Sequence, residues 1–386
     1  MGPLSGLRVI DASNFVFGPV ATQMLGDMGA EVIKIEPPEG DPTRKIGKSV
    51  SPLMGSFFLN LNRNKKSVVL DLKRSEDVDS LLALLDSADV FLHNMRGSAI
   101  KRLGLDYASL QARYPRLVYA AALGFGESGP YAGRPAYDDV IQGLSGLCGL
   151  NARMSGTPSF VPMLMTDKLC GVYLAFAVAA ALTERERSGR GQQVQVPMFE
   201  TMAAFNLLDH MADAVFADSG APLGYARAFG KYHRPLATAD GSICLIANTD
   251  AQWKRLFELL GAPELVADAR FADIGSRISH IDALYQLVEE KLKAKTSSEW
   301  VALLEAADLP VGPANELNAL REDPQLSQTG FFQEHSHESE GRLSFPALPL
   351  EMSRTPGGVR LGPPRLGQHT EEVLAGLAGT AGKHVE

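Results

Sequence analysis

Short apolar runs alternate with helical stretches over the first 125 residues of this 386-residue chain. The candidate strands and helical stretches, read from periodicity and residue type, are strands at 7–11, 31–36, 67–72, 89–94 and 117–123 and helices near 19–28, 75–87 and 106–113. This alternation predicts an α/β fold with a mainly parallel, doubly wound sheet. Such sheets bind ligands at the carboxyl ends of their strands, so the turn after the first strand is the first candidate position for a site.

The first turn does not carry the glycine pattern of a dinucleotide-binding protein. Gly18, Gly26 and Gly29 do not have the G-x-G-x-x-G spacing that lets the backbone approach a pyrophosphate. Glu36 could mimic a ribose-binding acid at the end of the second strand, but it is a weak signal without the glycines. A nicotinamide or flavin oxidoreductase is therefore a poor alternative.

The pattern changes after a loop rich in turn residues at 124–130. The elements predicted beyond it are helices near 138–148, 167–187 and 198–216, a strand at 193–196, a strand at 242–247, helices near 251–260, 281–293 and 297–306, and a capped helix after Gly367. The predicted division of the chain is a large first segment at 1–217, a polar, glycine-rich linker at 218–235, a compact small domain at 236–320 and a final segment at 321–386.

Composition excludes several classes of protein. The net charge of −8 argues against general nucleic-acid binding. Cys148, Cys170 and Cys244 are widely spaced and lie outside any Cys/His cluster, so neither a disulfide framework nor a metal site is predicted, and a cytoplasmic location is expected. The longest apolar run, 169–182, is too short to span a bilayer, so no membrane segment is predicted.

Positive charge is concentrated in one segment. Residues 44–74 contain eight basic side chains and a single acid, Asp71, before the acids of the next helix. The basic residues are Arg44, Lys45, Lys48, Arg63, Lys65, Lys66, Lys73 and Arg74. On an acidic protein this segment indicates either a site for a compact polyanion or an ordinary solvated face.

Asp167 is the candidate catalytic residue. It stands directly before the apolar stretch 169–182, and Thr166 is a plausible N-cap, so Asp167 is predicted in the first turn of a helix. The helix dipole favours a carboxylate at that position. From this local pattern alone Asp167 could be an ordinary capping acid or a functional group.

The chain resembles the family III CoA-transferases, a family that also includes the methylacyl-CoA racemases. The matching motifs, in order, are Leu4-x-Gly6-x-x-Val9-x-Asp11, Gly18-Pro19, Gly26-Asp27-x-Gly29-Ala30-Glu31-Val32-Ile33-Lys34-Ile35-Glu36, Gly40-Asp41-x-Thr43-Arg44, Asn62-Arg63-Asn64-Lys65-Lys66-Ser67, Gly124-x-Gly126-x-x-Gly129-Pro130, Gly189-x-Gly191-Gln192 and Leu366-Gly367-Gln368-His369-Thr370. Each motif is short, but their order and spacing extend over nearly the whole chain.

The resemblance implies a mechanism and a set of contacts. Asp167 matches the family's nucleophile, which forms an anhydride with the acyl group and then a thioester with CoA. In the implied mechanism CoA is a substrate, and no bound cofactor or metal takes part. The implied CoA contacts are Phe15, Val16, Phe17, Leu70, Lys73, Asn94, Met95 and Arg102. Of these, Lys73 and Arg102 are the expected partners of the CoA phosphates.

The acceptor is expected to be a small dicarboxylic acid, with succinyl-CoA or a similar donor. Val16 stands where the relative acting on formyl-CoA has a glutamine, and the glycine lid of that relative is absent. Lys231 and His233 lie near the equivalent point, as in relatives that use larger dicarboxylic acids. They are candidate contacts for a distal carboxylate, and surface placement is the alternative.

Two alternatives to the transferase remain open at the level of sequence. Racemases of the family place a histidine before an aspartate where this chain has Tyr137-Asp138, and a phenol with a pKa of about 10 is a poor base. Tyr137 is therefore a candidate wall of the active site. A catalytically silent acyl-CoA-binding protein is disfavoured by the presence of Asp167. The resemblance also implies an interlocked homodimer, with a large Rossmann-like domain made from both chain ends and a smaller α/β domain.

Overall fold

The computed structural model describes residues 1–378, and its largest element is a six-stranded parallel sheet with the strand order β3-β2-β1-β4-β5-β6. The strands are β1 (Arg8–Ala12), β2 (Glu31–Glu36), β3 (Lys65–Val69), β4 (Val90–His93), β5 (Val118–Leu123) and β6 (Gln193–Pro197). The prediction of a mainly parallel α/β sheet is confirmed.

Helices cover both faces of this sheet. The first nine are α1 (Phe17–Asp27), α2 (Ser56–Leu61), α3 (Ser75–Leu85), α4 (Gly97–Arg102), α5 (Tyr107–Leu110), α6 (Asp138–Leu144), α7 (Leu147–Ser155), α8 (Met165–Ser188) and α9 (Met198–His210). Helices α1 and α8 pack in the core that contains Val9, whereas α3 packs in the core that contains its neighbour Ile10. Successive strand residues point to opposite faces, so a strand buried on both sides is apolar along its whole length.

The chain divides into two compact units. The first consists of Met1–Cys148, Phe160–Asn206 and the residues from Ser327 onward. It also contains the antiparallel hairpin β10 (Phe332–His337) and β11 (Gly341–Pro346), together with the last helix, α15 (Thr370–Ala378). Leu374 of α15 packs in the same core as α3, so residues from both ends of the chain share one core.

The second unit consists of Gly149–Ser159 and Leu207–Leu326. Its elements are the antiparallel strands β7 (Leu236–Ala237), β8 (Ser242–Leu245) and β9 (Val311–Pro313) with α10 (Asp250–Leu259), α11 (Ile274–Ser279), α12 (Ile281–Leu292) and α13 (Ser297–Ala306), followed by α14 (Pro324–Gln328). Trp253, Phe257 and Trp300 are central to its core. The predicted domain limits at 217, 235 and 320 stay a prediction.

Three predicted helices were too long, and the first of them, predicted near 106–113, is only the four-residue α5. The helix predicted at 138–148 is interrupted at Gly146, whose φ of 89° is outside the helical region and ends α6 before α7 begins. The helix predicted at 198–216 ends at His210, and Ala212 just after it has a φ of 41°. The region 322–350 contains the short helix α14 as well as the β10–β11 hairpin.

The basic segment 44–74 is only in part a surface patch, because half of its eight basic side chains are exposed and three are buried. Its side chains Arg44, Arg63 and Lys65 are buried in ion pairs with carboxylates, Arg44 with Glu36 at 2.7 Å. Burial favours the neutral form of Asp11, the partner of Lys65, but the nearby ammonium groups outweigh burial and lower its pKa to about 2. The simple count of basic residues therefore overstated the charge available to a polyanion, because the partner acids lie elsewhere in the sequence.

Helix α8 is 24 residues long, and by length and composition it could cross a membrane. One such helix is weak evidence for a membrane span, because core helices of soluble proteins have the same composition. One side of α8 packs against α1 in the core of the first unit.

Candidate active site

Two cavities share the turn that joins β1 to α1. The smaller has a volume of about 180 Å³ and is lined by Asn14, Phe15, Phe17, Asn94, Arg96, Ala122, Leu123, Gly124, Arg134, Ala136, Tyr137, Asp167 and Met198. The larger has a volume of about 230 Å³ and is lined by Ala12, Ser13, Asn14, Lys34, Ile35, Glu36, Pro37, Asp41, Leu70, Asp71, Leu72, Lys73, Met95, Arg102 and Leu103. We refer to them as the Asp167 cavity and the Lys73 cavity. Both lie at the carboxyl ends of the parallel strands, where the fold predicts a ligand site.

Asp167 lies in the first turn of α8, as predicted, but Thr166 is not the N-cap. The helix begins at Met165, after Leu164, so Thr166 is already helical. Its hydroxyl instead donates a 2.8 Å hydrogen bond to the carboxylate of Asp138. The cap is thus supplied by a distant acid rather than by the neighbouring hydroxyl.

Asp138 is the group that determines the surroundings of Asp167. One oxygen of its buried carboxylate accepts the Asp167 backbone N–H at 3.0 Å, and the other accepts the Gln142 side-chain amide at 2.6 Å. Burial and the neighbouring Asp138 carboxylate raise the pKa of Asp167 to about 7. Asp167 therefore changes charge near neutral pH, which is typical of a catalytic carboxyl group.

The turn after β1 contributes the wall on the other side of the Asp167 cavity. Phe15 has a φ of 64°, and its ring meets that of Tyr137 edge to face with centroids 5.9 Å apart. Asn94, the residue after β4, stabilises the turn because its side-chain amide donates a 2.8 Å hydrogen bond to the Asn14 carbonyl. Tyr137 is 62% exposed, so it is an open wall of the cavity rather than a buried aromatic.

The predicted contact residues divide between the two cavities. Leu70, Lys73, Met95 and Arg102 line the Lys73 cavity, and Phe15, Phe17 and Asn94 line the Asp167 cavity. Val16 is buried, with 4% of its surface exposed. The structure brings seven of the eight predicted CoA-contact residues to the walls of the two cavities, while a contact of each with CoA stays a prediction.

Two arginines of the Asp167 cavity were missed from the sequence. Neither Arg96 nor Arg134 forms an ion pair with any acid among residues 1–378, and the Arg134 guanidinium lies 4.3 Å from the centroid of the Tyr131 ring. Both arginines could have been predicted from the sequence, because each lies close to a predicted site residue. Arg96 follows Asn94 and Met95, and Arg134 shortly precedes Tyr137. Cations beside a nucleophilic carboxylate can stabilise negative charge that develops on a carbonyl oxygen.

Lys231 and His233 belong to the second unit, where His233, Arg227 and Arg234 line a cavity of about 480 Å³. Lys231 is not among its lining residues. Arg234 is paired with Glu289 at 2.7 Å. The predicted contact of Lys231 and His233 with an acceptor stays a prediction. Among the described residues no group of three or more His, Cys, Asp or Glu is arranged to hold a metal ion.

Residues 4–370 match the model of CoA-transferase family III. The chain belongs to this family. Succinate–glutarate CoA-transferase of Agrobacterium fabrum is 32% identical over 97% of this chain and 96% of its own length. Acetyl-CoA:oxalate CoA-transferase of Acetobacter aceti is 34% identical over 91% of this chain and 90% of its own. A solved structure of a CaiB/BaiF family protein from Brucella suis superimposes with a TM-score of 0.82 at 31% identity, over 97% of this chain and 99% of that chain.

The protein is therefore a CoA-transferase, an enzyme that moves CoA from an acyl-CoA to a carboxylic acid. The two cavities of the first unit are the surfaces on which such a reaction can be placed. One has exposed cations suited to phosphates, and the other has a carboxylate with a raised pKa.

Replacing Lys73 or Arg102 of this transferase with alanine should raise KM for the acyl-CoA by roughly tenfold to a hundredfold and leave kcat nearly unchanged. Phosphate contacts remote from the thioester bind ground state and transition state alike, and each is worth about 1.5–3 kcal/mol. Steady-state kinetics with varied acyl-CoA measures the split. Lys101→Ala is the matched control, an exposed lysine beside Arg102 that lines neither cavity. An unchanged KM in both variants would make Lys73 and Arg102 ordinary surface charges.

Proposed function

We propose that the transferase works through covalent intermediates on Asp167. The Asp167 carboxylate attacks the carbonyl carbon of the donor acyl-CoA, the C–S bond breaks, and the acyl group remains on Asp167 as a mixed anhydride. The released CoA thiolate attacks the Asp167 side of that anhydride, which frees the donor acid and leaves an aspartyl-CoA thioester. The acceptor carboxylate then attacks this thioester, and the thiolate released attacks the acceptor side of the new anhydride. The observation that carries the proposal is the placement of Asp167 on the floor of a cavity, with a pKa raised to about 7.

The surroundings of Asp167 support this chemistry. A carboxylate is a weak nucleophile. Removing it from water raises its basicity and removes part of the hydration shell that would otherwise have to be displaced before attack. Arg96 and Arg134 stand in the same cavity and could stabilise the oxyanion of each tetrahedral intermediate. Each step conserves the energy of the acyl bond, because an acyl group passes only between carboxylate and thiolate nucleophiles and never to water.

We further propose that CoA lies across the turn after β1, with its phosphates in the Lys73 cavity and its thioester in the Asp167 cavity. Asn14 lines both cavities, so a ligand can pass from one to the other over this residue. Leu70 and Met95 offer apolar contact to the adenine, while Lys73 and Arg102 offer charge to the phosphates. CoA enters and leaves as a substrate in this proposal, and no resident cofactor takes part.

The proposed acceptor is a small dicarboxylic acid, and the proposed donor is succinyl-CoA or a close relative. The two named relatives act, by their names, on succinate and glutarate and on oxalate. Arg96 and Arg134, which form no ion pair within residues 1–378, also favour an acceptor with a second carboxylate. A monocarboxylic fatty acid would offer these exposed arginines no carboxylate beyond the reacting one and would forgo that charge-assisted hydrogen bond.

We propose that the transferase is a cytoplasmic homodimer with interlocked chains. The support is an apolar surface on α8, where Val172, Tyr173 and Phe176 are exposed by 45%, 40% and 72%. Contiguous exposed apolar residues on one helix face are typical of an interface. A second copy of the chain would cover them.

The substrate proposal is tested by comparing kcat/KM for a panel of acceptors with succinyl-CoA as donor. Succinate (exchange with labelled donor), glutarate and itaconate should exceed butyrate and carnitine by at least about tenfold, since a hydrogen bond between an arginine and the second carboxylate contributes about 1.5–3 kcal/mol. Oxalate is included to separate short from longer dicarboxylic acids. A preference for the monocarboxylates would contradict the proposal, and α-proton exchange from a 2-methylacyl-CoA without transfer would restore the racemase.

A further inference from the structure

A buried ion pair supports the turn that both cavities share. Lys34 lies in the middle of β2, and its side chain and that of Asp41 are both 0% exposed, with Nζ 2.9 Å from Oδ2. The Lys34 ammonium also donates a 2.7 Å hydrogen bond to the backbone carbonyl of Ser13. The Ser13 end of the turn is therefore hydrogen-bonded to an ammonium group that is fully buried.

Asp41 holds the same turn at a second point. Its other oxygen accepts the backbone N–H of Phe15 at 3.4 Å, and it is fixed in place by the N–H and hydroxyl of Thr43 at 2.9 and 2.7 Å. The nearby carboxylates, that of Asp41 foremost, raise the pKa of Lys34 against the effect of burial, so the ammonium stays charged. The ion pair thus fixes one carbonyl and one amide, two residues apart.

Phe15 needs this support. Its φ of 64° lies in the left-handed region, which is unfavourable for a residue with a Cβ and persists only where the surroundings hold it. In this conformation its side chain lines the Asp167 cavity and meets Tyr137. A turn released from Lys34 and Asp41 would relax toward ordinary backbone angles and move that wall.

The turn is also the boundary between the two cavities. Ser13 lines the Lys73 cavity, Phe15 lines the Asp167 cavity, and Asn14 lines both. Its shape determines where the thioester of a ligand anchored in the first cavity arrives in the second. We propose that Lys34 and Asp41 are positioning residues that align the thioester with the carboxylate of Asp167.

This proposal rests on the role of Asp167 proposed above and predicts a specific kinetic signature. The variant Lys34→Met/Asp41→Asn removes both charges, keeps similar volumes and leaves an amide oxygen for the Phe15 N–H. Its kcat should fall about tenfold to a hundredfold, because small displacements of a reacting group have effects of that size. Its KM for acyl-CoA should stay within about threefold, because Lys73 and Arg102 are untouched and because Lys34 and Asp41, although they line the Lys73 cavity, have side chains that are 0% exposed.

The chain offers a matched control in a second buried ion pair. Arg63 and Asp27 are 2.7 Å apart and 6% and 2% exposed, and neither lines either cavity. Arg63→Met/Asp27→Asn therefore removes a comparable pair from the same unit, and its kcat should stay within about twofold of the wild type even if its Tm falls. If the first double variant does not fold, the single variants Asp41→Asn and Asp27→Asn give the same comparison.

The experiment measures kcat, KM and Tm for both pairs, with Asp167→Ala alongside. A selective fall in kcat for the Lys34/Asp41 variants supports positioning. Equal kcat losses for the two pairs would reduce Lys34 and Asp41 to a structural role, and a rise in KM alone would make them CoA contacts. Transfer by Asp167→Ala would instead remove the proposed mechanism, so the two failures are distinguishable.

Discussion

Replacing Asp167 with alanine should abolish CoA transfer, lowering kcat by roughly 10⁴-fold or more, because the variant has no carboxylate to accept the acyl group. Affinity for CoA should stay within about threefold of the wild type, since the cations of the Lys73 cavity are unchanged. Rates of label exchange between succinyl-CoA and an acid measure the first quantity, and titration with CoA measures the second.

Covalent trapping gives this prediction its control. Hydroxylamine should inactivate the wild type only after incubation with acyl-CoA, and the modified peptide should contain Asp167. Asp167→Asn should be as inactive as the alanine variant and no less stable at pH 8. The pKa of Asp167 is about 7 in the folded protein, which is above its value in the unfolded chain. At every pH above the unfolded pKa, this carboxyl group therefore lowers the free energy of unfolding, and asparagine does not. Substantial turnover by either variant would contradict the assignment of the nucleophile.

The parallel sheet could be predicted because its strands carry a strong local signal. Strand β2 was predicted at the residues where it lies, since Glu31–Glu36 is a β-branched run bounded by turns. Strand β3 begins two residues and ends three residues before the predicted strand, because its first residue, Lys65, has the pattern of a surface charge but is buried. The short helices α2 and α4 were not predicted, because six residues carry too little periodicity to show an amphipathic face.

The nucleophile of the active site could be predicted from the sequence, but the neighbouring group that raises its pKa could not. Asp167 and four further residues of its cavity, Phe15, Phe17, Asn94 and Tyr137, were predicted from segments that are each contiguous in the sequence. Asp138 lies 29 positions from Asp167 and reaches it only because α6 packs against α8. The same limit hid the carboxylates that neutralise Arg44 and Lys65, so the basic segment was interpreted as a surface. Long-range pairing of charges leaves no periodic pattern in a sequence.

Asp138 adjusts Asp167 in two opposing ways. Its carboxylate accepts the Thr166 hydroxyl and the Asp167 N–H, so it fixes the first turn of α8 and with it the direction of the nucleophile. Its negative charge at the same time opposes ionisation of Asp167. A more basic carboxylate is a better nucleophile, but it is ionised over a narrower range of pH. A raised pKa of Asp167 therefore increases its reactivity near neutral pH and lowers the activity of the enzyme in acid.

Replacing Asp138 with asparagine should therefore shift the acidic limb of the kcat/KM profile to lower pH. In the wild type the limb should follow the Asp167 pKa of about 7, so that at pH 6 about 10% of the maximum rate remains. Without the charge of Asp138 only burial keeps the pKa of Asp167 raised, and at pH 6 the variant should retain at least about three times that share of its own maximum. The maximum itself should fall, because a less basic Asp167 is a weaker nucleophile and Gln142 loses its acceptor.

The neighbouring acid supplies the control for this last experiment. Asp139→Asn removes one negative charge from the same turn of α6, but Asp139 is exposed and does not line the Asp167 cavity. Its pH profile should overlay that of the wild type. If the acidic limb lies at the same pH in all three enzymes, the charge of Asp138 does not reach Asp167 and its role is confined to capping α8. If both variants shift equally, the effect is one of general surface charge, and raising the ionic strength should remove it.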